Sequence, residues 1–180
     1  AARLVAEGVA EAAARAAADA SQGDVGRARL LASDPDLAAR RAAFAAVPRQ
    51  VDGTGRTALR LTDELLALVE AAAAPLVARH EAEVAELDAR IKQYGERGSG
   101  KKALTDRHKR ELRRHRTDEL LAGLSAIAGV YRDTLAAGTV GRPDQAVAAV
   151  QRIHTDMEAF AINANETLLL QALLWSLPSL

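Results

Sequence analysis

Gly95-Glu96-Arg97-Gly98-Ser99-Gly100-Lys101 matches the first seven positions of a phosphate-binding loop, in which glycine amides and a lysine cradle the phosphates of a nucleotide. The eighth position departs from the pattern, because Lys102 stands where a serine or threonine would hold magnesium. The residues leading into the glycines, AELDARIKQY, are polar and amphipathic rather than a buried strand. The segment therefore reads as the tip of a hairpin. Directly after it, residues 101–116 (KKALTDRHKRELRRHR) gather eight lysines and arginines, opposed only by Asp106 and Glu111. Such a run suits neutralisation of a nucleic-acid backbone, with Lys109, Arg110, Arg113 and Arg114 as candidate DNA or partner contacts. No Phe, Tyr or Trp lies within it to stack on bases. The residues favour instead a solvated helix face, partly neutralised by Glu81, Glu83, Glu86 and Asp88. Surface ion pairs contribute about 0–1 kcal/mol each, so the positive potential is only partly cancelled.

The remaining chemistry-bearing residues form no recognisable constellation. Of the four histidines, His108 and His115 are seven apart, without the i, i+4 pairing and carboxylate of a helical zinc site. Ser21, Ser33, Ser99 and Ser125 have no nucleophile-elbow context. Cysteine is absent, which excludes disulfides and thiolate chemistry and makes a reducing, cytoplasmic compartment the expectation. Lys plus Arg total 24 and Asp plus Glu total 24, so any polyanion affinity must be local. Neither a catalytic residue, nor a metal, nor a cofactor is expected, and the chain reads as a non-enzyme.

The elements that carry these residues are helical. Aromatics make up 3% of the chain, and alanine and leucine dominate without period-two runs of β-branched residues. The chain begins at Ala1 without a methionine or a basic-then-apolar leader, as an excised fragment would. Helices are expected over 4–20, over 24–32, and from Ser33-Asp34-Pro35 to about Val47, ending before Pro48. Residues 48–55, PRQVDGTG, read as a linker and domain boundary. Leu61, Leu65, Leu68 and Ala72 share one helical face, and Pro75 marks a kink or break. Val77, His80, Val84, Leu87, Ile91 and Tyr94 then alternate at three and four, the seam of a helix packed lengthwise on a partner.

Beyond the glycines a second seam, Leu104, His108, Leu112 and His115, continues through Leu120, Leu124, Ile127, Tyr131 and Leu135 as one helix ending near Ala137. Folding the chain back at 95–100 makes an antiparallel pair with Leu87 near His108 and Val84 near Leu112. A further helix begins at Pro143-Asp144, carrying Val147, Val150, Ile153, Met157 and Phe160. Asn163-Ala164-Asn165-Glu166 offers caps for a last helix, whose six leucines leave little polar face and place it centrally in the core. That apolar tail is shorter than the roughly 20 residues of a membrane span.

Three segments together resemble the C-terminal part of the delta-prime subunits of bacterial DNA polymerase III, in their actinobacterial form. They are ASQGDVGRARLLASDPDLAARR at 20–41, DRHKRELRRHRTDELLAGLSAIAGVYRDTL at 106–135, and NANETLLLQALLWSL at 163–177. The resemblance implies an all-α part of an AAA+ clamp-loader subunit: the last two or three helices of a lid domain over 1–48, and a helical, bundle-like collar domain over 49–180. It implies assembly with gamma/tau and delta subunits through the collar, and action on the sliding clamp and primed DNA only indirectly, in bacterial cytoplasm and away from membranes. The ATPase-like first domain is missing from this chain. Related ATP-binding subunits carry Gly-x-x-Arg in a lid helix as sensor 2. Here Gly23 holds the first position, Gly26 stands where the arginine would be, and Arg27 comes one residue late, about 100° around a helix. This degenerate sensor-2 region fits subunits that do not hydrolyse ATP. A basic helical-hairpin module that binds nucleic acid remains the alternative from the residues alone.

Overall fold

Every element of the chain that its sequence pattern marks as regular forms a helix, and no described residue lies in a strand. The structure is a computed structural model that describes residues 1–21, 23, 25–32, 34, 36–94, 100–162 and 165–180, except the side chains at 20, 27, 30, 94 and 161. The described helices are α1 (Ala2–Ala6), α2 (Glu11–Ala20), α3 (Val25–Ala32), α4 (Leu37–Gln50), α5 (Gly55–Ala71), α6 (Ala74–Tyr94), α7 (Lys101–Ala136), α8 (Pro143–Ala161) and α9 (Glu166–Ser176). The phosphate-loop-like residues 95–99 lie outside the described residues, as do the expected caps Ser33, Asn163 and Ala164.

Two departures from the expected boundaries have local causes. The single helix expected over 4–20 is two, because Gly8 takes φ of 92° and turns the chain between α1 and α2. At the other end, α4 runs through Pro48 to Gln50 instead of stopping before it. A proline inside a helix forfeits one backbone bond, a cost of about 3 kcal/mol. Here Val47 and Val51, 0% and 3% exposed, pack on the core on either side of it and hold the helix together. The Pro48 carbonyl accepts the Leu180 amide at 2.8 Å, which ties the last described residue to this turn.

Two apolar clusters divide the chain. A small one unites Leu4, Ala14, Ala17, Ala28, Leu31 and Leu37 from α1 to α4. The large one gathers Phe44, Val47 and Val51 with Leu61, Leu65 and Val69 of α5, Leu120, Leu124, Ile127 and Tyr131 of α7, Ile153 and Phe160 of α8, and Leu170, Leu173 and Leu174 of α9. Helix α4 therefore contributes to both clusters, Leu37 to the first and Phe44 to the second. The N-terminal helices are bound to the main bundle through it. Thr54 caps α5 by accepting from the Thr57 amide, and Asn165 caps α9 by accepting from the Leu168 amide at 3.1 Å, as its sequence suggests. Helix α9 is less enclosed than expected. Its inner face is buried, but Leu168 and Trp175 are both 62% exposed, with the indole N–H donating to the Gly53 carbonyl at 3.0 Å.

The crossing of α4 over α7 is the tightest point of the bundle. At Gly123 a β-carbon would sit 2.4 Å from Cε1 of the buried Phe44 ring, so the helices meet at this distance only because the residue has none. One turn earlier on each helix, Arg40 of α4 meets Glu119 of α7 at 3.2 Å, with side chains 5% and 6% exposed. The same guanidinium binds Asp34 at 2.5 Å. Burial pushes the Asp34 carboxyl up, but Arg40 and the Asp36 amide outweigh it and hold it below the ordinary aspartate range.

Gly123→Ala will therefore destabilise the fold although alanine is the better helix former. Overpacking at Phe44 costs about 1–3 kcal/mol and the propensity gain returns only part of it, leaving a net loss of about 1 kcal/mol in urea unfolding followed by far-ultraviolet circular dichroism. Adding Phe44→Leu will recover part of that loss. Arg40→Met, which strips the guanidinium from a buried carboxylate, will cost about 3 kcal/mol in the same assay.

Candidate functional site

The basic run lies within the first half of α7, a 36-residue helix whose length is about 54 Å. Its cations do not act as one group, because the helix turns them to different sides. Toward α6, Lys101 Nζ donates to Asp88 at 2.8 Å and Arg107 donates to Glu83. Nearer the bundle, Arg116 donates to Glu166 of α9 and Glu70 of α5, both at 2.5 Å, clamping the root of the hairpin to two core helices. The remaining cations, Lys102, Lys109, Arg110 and Arg113, are exposed and form no ion pair with another described residue. Arg114 is exposed too and reaches only Asp118, at 3.8 Å.

The expected acidic partner helix is thus present, but only two of its four carboxylates reach across. Glu83 and Asp88 hold Arg107, His108 and Lys101 of α7. Glu86 pairs with Arg90 on its own helix and Glu81 points to solvent. The register is one turn from expectation as well: His108 meets Glu83, four residues before Leu87. Leu87 instead lines a cleft with Ala103 and Leu104. Apolar periodicity places a seam on a face, but it does not distinguish registers one turn apart. Here the charged and imidazole contacts select one.

At the centre of the hairpin, His80 and His108 stack with ring centroids 3.8 Å apart and planes 7° from parallel. Each ring's Nε2 meets a glutamate of the opposite helix, His80 with Glu111 at 2.8 Å and His108 with Glu83 at 2.9 Å. An ionised carboxylate only accepts, so both contacts place the ring proton on Nε2. The hydrogen bond from His108 holds Glu83 below the ordinary glutamate range against a smaller effect of burial, with the charges of Arg107 and Arg79 adding to it. Glu111 is lowered in the same way by His80, again with Arg79 and Arg107 contributing. Sequence reasoning placed both histidines in seams but missed the stack. The signal was the repeated spacing His80-x-x-Glu83 and His108-x-x-Glu111, which an antiparallel pair converts into reciprocal contacts.

The sensor-2-like residues lie elsewhere. Gly23 is in the turn before α3, and Gly26 and Arg27 are in the first turn of α3, which packs on α1 and α2 rather than on α7. The Arg27 side chain lies outside the described residues. Among the described residues no group of three or more His, Asp or Glu side chains is placed to hold a metal ion. No described helix is long and apolar enough to cross a membrane. Comparison of the chain with known protein families, with curated protein sequences and with solved structures finds no match.

The lowered carboxylates fix a sign for the acid response. A glutamate depressed in the folded state stabilises it above its unfolded value, near 4.5, and that contribution is lost as pH falls through the folded value. Amide exchange in α6 will therefore accelerate as pH is lowered from about 5 to about 3, relative to amides of α8. The double variant Glu83→Gln, Glu111→Gln will exchange faster at neutral pH and show a flatter acid response.

Proposed function

We propose that this chain is a non-catalytic assembly region of a clamp-loader subunit, resembling the collar and the end of the lid of delta-prime subunits. The observation that carries this reading is where the three resembling segments meet. Arg40, in the first, is ion-paired with Glu119 in the second. Arg116, also in the second, is ion-paired with Glu166 in the third. The residues that carry the resemblance are thus the residues that hold α4, α7 and α9 to one another. An all-α bundle whose framework is continuous from α4 to α9 suits a part that presents rigid helix faces to neighbouring subunits. The candidate neighbours are the gamma/tau and delta subunits of such an assembly, with the sliding clamp and primed DNA engaged by the whole of it.

A second feature favours assembly. Leu59 on α5, together with Leu168 and Trp175 on α9, is 50–62% exposed, and α5 and α9 pack against each other. Large exposed apolar side chains on two adjoining helices, a tryptophan among them, suit a subunit contact, in which aromatic residues are enriched.

Mixing the chain with actinobacterial gamma/tau and delta subunits will give a complex of defined mass by size exclusion with light scattering, and Leu168→Asp with Trp175→Asp will weaken it while leaving the helical circular dichroism unchanged. Absence of any complex, with all proteins folded and soluble, sinks the assignment.

A further inference from the structure

The residues of α7 at 102, 109, 113, 120, 124, 127 and 131 follow one another at steps of seven, four and three, and so occupy one stripe of the helix. From Leu120 to Tyr131 this stripe is fully buried, Leu120, Leu124, Ile127 and Tyr131 being 0% exposed in the main core. Before it, the same stripe carries Lys102, Lys109 and Arg113, all exposed and without an ion pair among the described residues. Helix α6 packs on a different side, reached by Lys101, Arg107, His108 and Glu111. The hairpin therefore extends beyond the bundle with its acidic helix on one side and a bare cationic face on another. That bare face points the way the core face points.

We propose that this stripe, Lys102, Lys109 and Arg113 flanked by Arg110, is a docking face for the phosphate backbone of duplex nucleic acid. Its length from Lys102 to Arg113 is about 16 Å, which at about 3.4 Å of axis per phosphate spans some five phosphates of one strand. Asp106 is the one α7 carboxylate on this side, Thr105 and Thr117 there are small and polar, and Arg116 at the inner end is held by Glu70 and Glu166, so the bare cations are those from Lys102 to Arg113. An interface with an acidic protein would carry a dry apolar centre. Faces for nucleic acid are polar and strongly positive, as this one is. The run holds no aromatic side chain, so bases are not stacked and a duplex backbone is favoured over a single strand. The inference is independent of the assembly reading, because the exposed apolar residues of α5 and α9 and the cations of α7 are separate surfaces and separate variants address them.

The test is fluorescence anisotropy of a labelled duplex of about 30 base pairs at about 50 and about 200 mM salt, a range over which three to four phosphate contacts weaken binding roughly 40- to 150-fold. The variant Lys102→Glu, Lys109→Glu, Arg113→Glu will lose affinity about tenfold or more at the lower salt. A control with the same charge change on other helices, Arg15→Glu, Arg56→Glu, Arg60→Glu, will stay within about twofold of the parent. Circular dichroism of both variants will match the parent, since all six positions are exposed. A single strand of the same sequence, and polyglutamate of matched charge, will bind more weakly than the duplex. No binding by the parent overturns the proposal, as does equal weakening by the two triple variants. Polyglutamate or single strand binding as tightly as duplex also overturns it, the first in favour of an acidic protein partner.

Discussion

The whole arrangement depends on how closely α4 and α7 approach at Gly123. Phe44 occupies the space that any side chain at 123 would need, and Arg40 and Glu119 close the crossing one turn away. The two contacts are of different kinds and do different things. Apolar contact between Phe44 and α7 is favourable at many angles, whereas an arginine and a glutamate buried together are tolerable only in a narrow geometry, since either ion misplaced would be desolvated without compensation. The first supplies stability and the second restricts the angle. With that angle set, the C-terminal half of α7 lies where α8 and α9 can close over it, and Tyr131 reaches the Pro178 carbonyl beyond α9.

Because α7 is one uninterrupted helix, the same crossing also fixes the direction of the hairpin. Its first half gets little from apolar burial: Val84, Leu87, Ile91, Leu104 and Leu112 are only half-buried. Polar contacts compensate in number. Two imidazoles stacked between reciprocal glutamates and a lysine on Asp88 space the two helices along their length, and Arg116 on Glu70 and Glu166 ties their base to α5 and α9. Such exposed or half-exposed pairs are individually weak, so the hairpin is the part of the molecule most responsive to pH and salt, and the bundle is the part least so.

Much of this was legible in the sequence. The helical class, the break at Pro75, the start at Pro143, the cap at Asn165 and the seam from Leu120 to Leu135 all rest on local signals that the tertiary structure does not override. Where local signals and packing disagree, packing prevails: Pro48 does not end α4, because the residues on both sides of it are core. The buried Arg40 was not visible at all, since an arginine in an alanine-rich helix looks solvated until its partner, 79 residues away, is known. The same reason explains the basic run. Its composition is plain in the sequence, but which cations are neutralised depends on a register that apolar periodicity leaves uncertain by a turn.

That division of the run is what gives it chemical meaning. Eight cations distributed evenly around a solvated helix would form a diffuse field, strongly screened at physiological salt. Pairing Lys101, Arg107 and Arg116 with carboxylates weakens their part of the field and fixes the helix in place, which leaves Lys102, Lys109 and Arg113 as a directional stripe on a rigid support. Positions 102, 109 and 113 continue the stripe that is apolar and covered from Leu120 onward, so an ordinary helix of this bundle would carry leucine there and be covered by another helix. Cations at those positions disfavour an apolar neighbour and favour an anionic one. The charge of this face is thus set by the same periodicity that builds the core.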